Sequence, residues 1–231
     1  MESKKRREML LMMKIGIYGG TFNPIHNGHI KLAENAKRIY QLDKVIFLPS
    51  GNSYMKSNVL SGRYRYHMVC LALMGRNSLE ASDLEIRREG ATYSYETMEE
   101  FHNIYPNDEL FFLLGEDSLR MIEWWKEPAR LMGQCSLIVA SRMSDASNRQ
   151  YYPVDGCKAA ADDQNSHTVN MQLPQYIRYL EEKYHTHIYC MEMQDATSSS
   201  QIRESVARGQ EIDGLVPDAV RDYIRKEHLY K

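Results

Sequence analysis

No stretch of this sequence approaches the roughly 18 apolar residues that a membrane-spanning helix needs, so no span is expected. Nor is there a surplus of positive charge: 29 Lys and Arg stand against 31 Asp and Glu, a formal net charge of -2. That balance removes nucleic acid as a default partner, and the positive contacts to any anionic ligand must be local. Cysteine is sparse and scattered. Cys70, Cys135, Cys157 and Cys190 form no CxxC pair, which argues against a zinc knuckle. Reduced thiols in a cytoplasmic protein are the simplest reading. Internal repeats are absent. The opening MESKKRREMLLMM imitates a secretory signal, with basic Lys4 to Arg7 ahead of an apolar run, but the run is too short and no small-residue cleavage site follows. Residues 1–12 are therefore expected to be a flexible extension and residues 13–231 one domain.

What is present is enough for a sizeable core: 231 residues, 43% of them hydrophobic. Residues 14–18 (KIGIY) read as a buried strand running into Gly19-Gly20. Residues 28–40 turn helical, with Ile30, Ala33 and Ala36 on one face. A second strand at 45–48 stops at Pro49, and 51–62 form a polar loop. Helices follow at 63–74 and 92–102, then the strand 110–114 (LFFLL) ending at Gly115. A helix over 122–132 and a strand over 137–140 come next. Residues 142–172, rich in Ser, Asp, Asn and Gln, break the rhythm and read as a long loop or insertion. A helix at 173–184, a strand at 187–191 and two short helices at 200–208 and 218–227 close the chain. Strands alternating with helices imply βαβ units and a mostly parallel sheet.

In such sheets ligands sit beyond the carboxyl ends of the strands, so the strand ends at Gly19-Gly20, Gly51 and Gly115 draw attention. The first leads into a helix, whose unpaired N–H groups and positive dipole end suit phosphate. Gly19 and Gly20 would let backbone approach a ligand, and Thr21 would add a hydroxyl. His26 and His29, three apart, project from one side of that helix start. They can be read as structural histidines, or as donors to a phosphate oxyanion. As a zinc pair they lack the spacing and glutamate of HExxH. The first turn also lacks GxGxxG, which argues against a nicotinamide-dependent dehydrogenase.

The stretch GGTFNPIHNGH (residues 19–29) resembles the (H/T)xGH signature of a nucleotidyltransferase superfamily. Its form GGTF(D/N)PIHxGH resembles that of the bacterial nicotinate mononucleotide adenylyltransferases. Three further segments match in order: DLEIRREGATYSYET (83–97), LGEDSL (114–119) and SSSQIR (198–203). The ending LVPDAVRDYIRKEHLY (215–230) is similar too. The match runs from about residue 14 to 230 and fails mainly in 142–172; the four segments together are far more specific than HxGH alone.

The resemblance implies a Rossmann-like, doubly wound α/β sheet with a small C-terminal helical subregion. It implies adenylyl transfer from MgATP to nicotinate mononucleotide, giving deamido-NAD and pyrophosphate. Chemistry of this kind needs positioning and charge stabilisation rather than an enzyme nucleophile. By resemblance, His26, His29 and Arg203 act on the phosphates at the transition state. Gly19, Gly20, Thr21, Gly28, Ser199 and Ser200 bind ATP, with Gly115 and Asp117 at the adenosine ribose. Mg²⁺ rides mainly on the ATP phosphates rather than on a protein metal site. Trp125, followed by Lys126, is expected to stack on the pyridine ring, with Tyr93 and Ser94 helping to hold its carboxylate. Lys56 is the surviving residue of a loop that in relatives reads PPHK and here reads SYMK. On residue chemistry alone, Asp117 could equally cap the next helix, Ser199, Ser200 and Arg203 could be a plain cap beside a solvated arginine, and Trp124 or Trp125 could be helix packing. Glu116 adds a charge beside Asp117 and is assigned no role, an outward position in solvent being its plain reading. The rival functions are adenylyl transfer to nicotinamide mononucleotide or another phosphorylated acceptor, and a non-catalytic nucleotide sensor. Small-molecule substrates are the expected partners, and a homo-oligomer is left open.

Overall fold

The computed structural model describes residues 12–51, 59–141, 171–193 and 197–231. Six strands form one parallel sheet: β1 Lys14–Gly20, β2 Lys44–Pro49, β3 Leu79–Ala81, β4 Glu109–Gly115, β5 Ser136–Ser141 and β6 Ile188–Glu192. Their order across the sheet is β3-β2-β1-β4-β5-β6. This is the doubly wound arrangement the sequence leads one to expect. The direction of winding reverses between β1 and β4, where such folds open a crevice outside the strand ends. Register fixes that crevice: Tyr18 lies beside Leu113, and Gly20 beside Pro49.

Both faces of the sheet are covered, which is why its strands read as near-continuous apolar runs. Side chains alternate along each strand. In β4, Leu110, Phe112 and Leu114 enter one core while Phe111 and Leu113 enter the other. The Phe111 and Leu113 face is packed by α1 (Asn27–Tyr40), α2 (Gly62–Leu73), α8 (Ser199–Ala207) and α9 (Asp218–Lys226). The opposite face is packed by α4 (Ser94–Ile104), α5 (Glu116–Arg120), α6 (Pro128–Met132) and α7 (Leu173–Tyr184). The C-terminal helices share the core of the sheet through Ile202, Val220 and Ile224. Tyr223 of α9 stacks on His67 of α2 with ring centroids 4.5 Å apart.

Three features depart from expectation. The helix anticipated at 122–132 is broken into a 3-10 turn, Ile122–Trp124, and the short α6. Pro128 disfavours helical backbone at the residue before it and tolerates the first helical turn, where its missing N–H is no loss. At the break Trp125 is extended and Glu127, the cap residue ahead of Pro128, has a left-handed φ of 54. Strand β3 and the four-residue α3, Leu84–Arg87, were not anticipated. Three residues carry no readable period; β3 exists because Leu79 and Glu80 pair with Val45 and Ile46. Glu116 does not face solvent. It accepts from Arg120 Nη2 at 3.1 Å and Ser141 Oγ at 2.6 Å, bridging the ends of β4 and β5. The expectations for residues 1–11, for Cys157 and for most of 51–62 and 142–172 lie outside the described residues. Among the described residues no helix is long and apolar enough to cross a membrane, and Cys70, Cys135 and Cys190 are free thiols.

Leu113 is fully buried at the centre of the sheet, whereas Ile39 is 48% exposed. Leu113→Ala should lower unfolding stability by about 2–5 kcal/mol, the range for large-to-small core changes, while Ile39→Ala should cost under about 1 kcal/mol. Urea denaturation followed by circular dichroism checks both.

Candidate active site

Strand β1 ends at Gly20, and the chain must turn over the carboxyl end of the sheet before entering α1. That crossing, residues 20–26, is held from several sides. Phe22 takes a left-handed φ of 46 and the Asn23–Pro24 bond is cis. Phe22 is buried in an aromatic cluster, edge-on to Tyr18 and His29 with centroids 5.3 and 5.0 Å away. Arg65 of α2, 2% exposed, donates Nη1 to Thr21 O at 2.8 Å and Nε to Leu60 O at 2.8 Å. Its Nη2 donates to Ser50 O at 2.5 Å. One planar guanidinium thus joins the ends of β1 and β2 to the chain entering α2. Burial pulls its pKa below the ordinary arginine value, partly offset by Tyr230 and Glu85.

From the C-terminal part of the chain, Arg203 Nη1 donates to Asn23 O at 2.8 Å and Ser199 Oγ to Pro24 O at 2.9 Å. Tyr230 OH donates to Asn23 Oδ1 at 2.8 Å, and Asn27 Nδ2 to Gly214 O at 2.8 Å. The plain-cap reading of this serine cluster does not hold. Ser198 is the cap of α8, accepting from Gln201 N at 3.2 Å. Arg203 is tied down rather than solvated, with Nη2 on Ser200 Oγ at 3.2 Å. Two bonds leave other N–H groups of its fork for an anion.

His26 is the N-cap residue of α1 and His29 its third helical residue. Their rings stack with centroids 3.6 Å apart, and His26 is buried. His29 Nδ1 accepts the His26 N–H at 3.2 Å. That bond fixes the tautomer of a neutral ring and makes Nε2 its donor. The three-residue spacing therefore does bring both imidazoles together at a helix N-terminus.

Beside this loop, over the switch point, lies a cavity of about 370 Å³. Of the anticipated site residues, Gly19, Gly20, Thr21, Tyr93, Ser94, Asp117 and Trp125 line it. His26, His29, Gly28, Gly115, Ser199, Ser200 and Arg203 do not; they lie at the start of α1, at the end of β4 and in α8. Lys56 lies outside the described residues. Trp125 is half-buried, lines the cavity and meets Phe112 edge-on at 6.2 Å, whereas Trp124 is absent from the lining. Asp117 is exposed on the cavity wall at the start of α5.

The glycines have a reason that the sequence did not disclose. A Cβ at Gly19 would come within 2.9 Å of Phe112 Cζ, and one at Gly20 within 2.8 Å of Phe22 Cζ. Space for aromatic rings, not only for a ligand, requires them. Two further residues were missed. Arg65 reads as an ordinary helical arginine, and only the fold reveals its carbonyl partners. Glu85 sits in the 83–97 segment without an assigned role. It is 6% exposed, lines the cavity, and accepts Gly51 N–H at 3.2 Å and the Thr97 hydroxyl at 2.9 Å. Among the described residues no group of three or more His, Cys, Asp or Glu gathers as a metal site.

Comparison with known proteins adds an independent line. Residues 17–205 match the cytidylyltransferase-like family model. A Geobacter sp. (strain M21) protein described as "Probable nicotinate-nucleotide adenylyltransferase" is 36% identical over 226 residues, covering 94% of this chain and 98% of that one. A Clostridium tetani (strain Massachusetts / E88) protein of the same description is 34% identical over 223 residues, covering 95% and 100%. The Plasmodium falciparum nicotinic acid mononucleotide adenylyltransferase complexed with NaAD superposes with a TM-score of 0.68 over 94% of this chain and 97% of that one. At 19% identity, that last likeness is one of fold.

The Arg65 hub yields a stability prediction. Arg65→Met strips the carbonyls of Thr21, Ser50, Gly51 and Leu60 of a donor and should cost about 2–4 kcal/mol in urea unfolding, given 1–3 kcal/mol for an unsatisfied buried acceptor. Arg65→Lys should recover only part of this, because an ammonium cannot span the same fork. A loss below about 1 kcal/mol for Arg65→Met would contradict the hub.

Proposed function

Since the chain belongs to the cytidylyltransferase-like family, and within it to the nicotinate-nucleotide adenylyltransferases, we propose that it transfers the adenylyl group of MgATP to nicotinate mononucleotide. The products are deamido-NAD and pyrophosphate. The observation that carries this reading is a juxtaposition. The segment leading to the two imidazoles lines the cavity through Gly19, Gly20 and Thr21, and Asp117 and Trp125 line the same cavity. Groups suited to phosphate and an aromatic ring suited to a pyridine thus line one crevice.

In this reading an oxygen of the acceptor phosphate attacks the α-phosphorus of ATP. One O–P bond forms as the bond to the departing pyrophosphate breaks. No side chain needs to become covalently attached, and positioning together with charge stabilisation supplies the rate. Gly19, Gly20 and Thr21, with Gly28 in the first turn of α1, offer backbone and hydroxyl donors to the phosphates. His29, donating from Nε2, and His26 beside it meet oxygens on which charge grows as pyrophosphate leaves. Arg203, with Ser199 and Ser200, steadies the leaving phosphates from the start of α8. Gly115 and Asp117 hold the adenosine ribose, the carboxylate accepting from sugar hydroxyls. Trp125 stacks on the pyridine, while Tyr93 and Ser94 hold its substituent and Lys56 adds a cation from its loop. Mg²⁺ belongs to this proposal as an ion carried on the triphosphate, whose oxygens suit a hard cation that keeps several waters. The separate carboxylates of Glu85 and Asp117 fit delivery of the ion by the substrate. The functional unit is residues 13–231, preceded by an extension over 1–12, and it works in the cytoplasm.

Purified protein given ATP, Mg²⁺ and nicotinate mononucleotide should release pyrophosphate and dinucleotide in equal amounts. Folded protein that yields neither product would sink the assignment. His29→Ala should lower kcat by about 10²–10³-fold, as for loss of an oxyanion donor, with the KM for ATP changed only a few-fold. Equal losses in both would mean that the imidazole binds the ground state alone.

A further inference from the structure

We propose that Lys126 sets the acceptor preference, its ammonium reading the carboxylate of a nicotinate ring against the neutral carboxamide of a nicotinamide ring. The inference rests on the function proposed above and assigns a specificity residue to that site.

Lys126 is the one cationic side chain among the described residues that line the cavity. The same lining holds two carboxylates, Glu85 and Asp117. An acceptor bearing both a phosphate and a ring carboxylate would enter a wall of its own sign unless a cation faced it. Glu85 cannot turn to neutralise that cation cheaply, because both of its oxygens are engaged, one by Gly51 N–H and one by the Thr97 hydroxyl.

The ammonium is also held at the cavity. Lys126 Nζ lies 4.1 Å from the centroid of the Tyr93 ring, a cation–π contact that keeps a long side chain from sweeping through solvent. Among the described residues Lys126 makes no ion pair, so its charge is not already spent on a neighbour. Tyr93, Lys126 and Trp125 line the same cavity. A pyridine stacked on Trp125 presents its substituent at the ring edge, in the plane of the ring, where a side chain from the next residue can reach it. A carboxylate there gains a charge-assisted hydrogen bond that a carboxamide does not.

The test measures kcat/KM for nicotinate and nicotinamide mononucleotides, separately and in competition, for the wild type, Lys126→Met and Lys126→Arg. Lys126 is exposed, so Lys126→Met should unfold in urea as the wild type does. The expected result is a roughly tenfold fall in the acid-over-amide ratio for Lys126→Met, carried by the acid, with the amide changed less than about twofold. Lys126→Arg should keep most of the preference. Equal falls for both acceptors would show that Lys126 meets the phosphate they share, and would overturn the proposal, as would an unchanged ratio. Wild-type protein that turns over neither acceptor would overturn the adenylyl-transfer reading itself, a separate and recognisable failure.

Discussion

The loop after β1 can present its N–H groups to a ligand only if its carbonyl groups are satisfied elsewhere. This constraint organises the molecule. Thr21 O is taken by Arg65 of α2, Asn23 O by Arg203 and Pro24 O by Ser199 of α8. The donors lie 44, 180 and 175 residues away in the chain. Each carbonyl tied outward leaves the inner side of the loop richer in donors. The site is therefore arranged before any substrate arrives, which is what electrostatic preorganisation requires.

The same constraint explains why the C-terminal helices belong to the core instead of forming an appendage. Ile202, Val220 and Ile224 pack on the sheet and fix α8, and α8 fixes Arg203 on the loop. Tyr230, the penultimate residue, bonds Asn23 directly and is buried enough to push its phenol pKa well up. Core packing and site geometry are thus one structure. A loss of apolar contact beneath α8 would move Arg203 and its bond to the loop as well as lower stability.

Much of this was legible in the sequence, for reasons that differ by element. The KIGIY and LFFLL runs announce strands buried on both faces, and the helices 173–184 and 218–227 carry clean stops and starts in Pro and polar residues. The HNGH spacing announces two imidazoles on one side of a helix start, and their rings do stack. Trp125 and Asp117 were nameable because their segments resemble a known family. What was not legible is long-range. Arg65 looks like any surface arginine until the ends of β1 and β2 converge on it. The outward reading of Glu116 failed because Ser141, its partner, lies on another strand. Gly19 and Gly20 looked like concessions to a ligand, and only the sheet register reveals the phenyl rings that also demand them. The break near Pro128 was visible in principle, since a proline within a helical pattern signals a boundary. The apolar spacing around it concealed the signal.

In the proposed reaction one preorganised crevice holds the triphosphate on the 19–29 loop and the pyridine on Trp125. A crystal structure with a non-hydrolysable ATP analogue and nicotinate mononucleotide bound together tests it most directly. The expected complex has the pyridine stacked on Trp125, the phosphates against Gly19, Gly20, His26, His29 and Arg203, and the loop unmoved from its present course. A pyridine bound away from Trp125, or phosphates seated away from that loop, would contradict it.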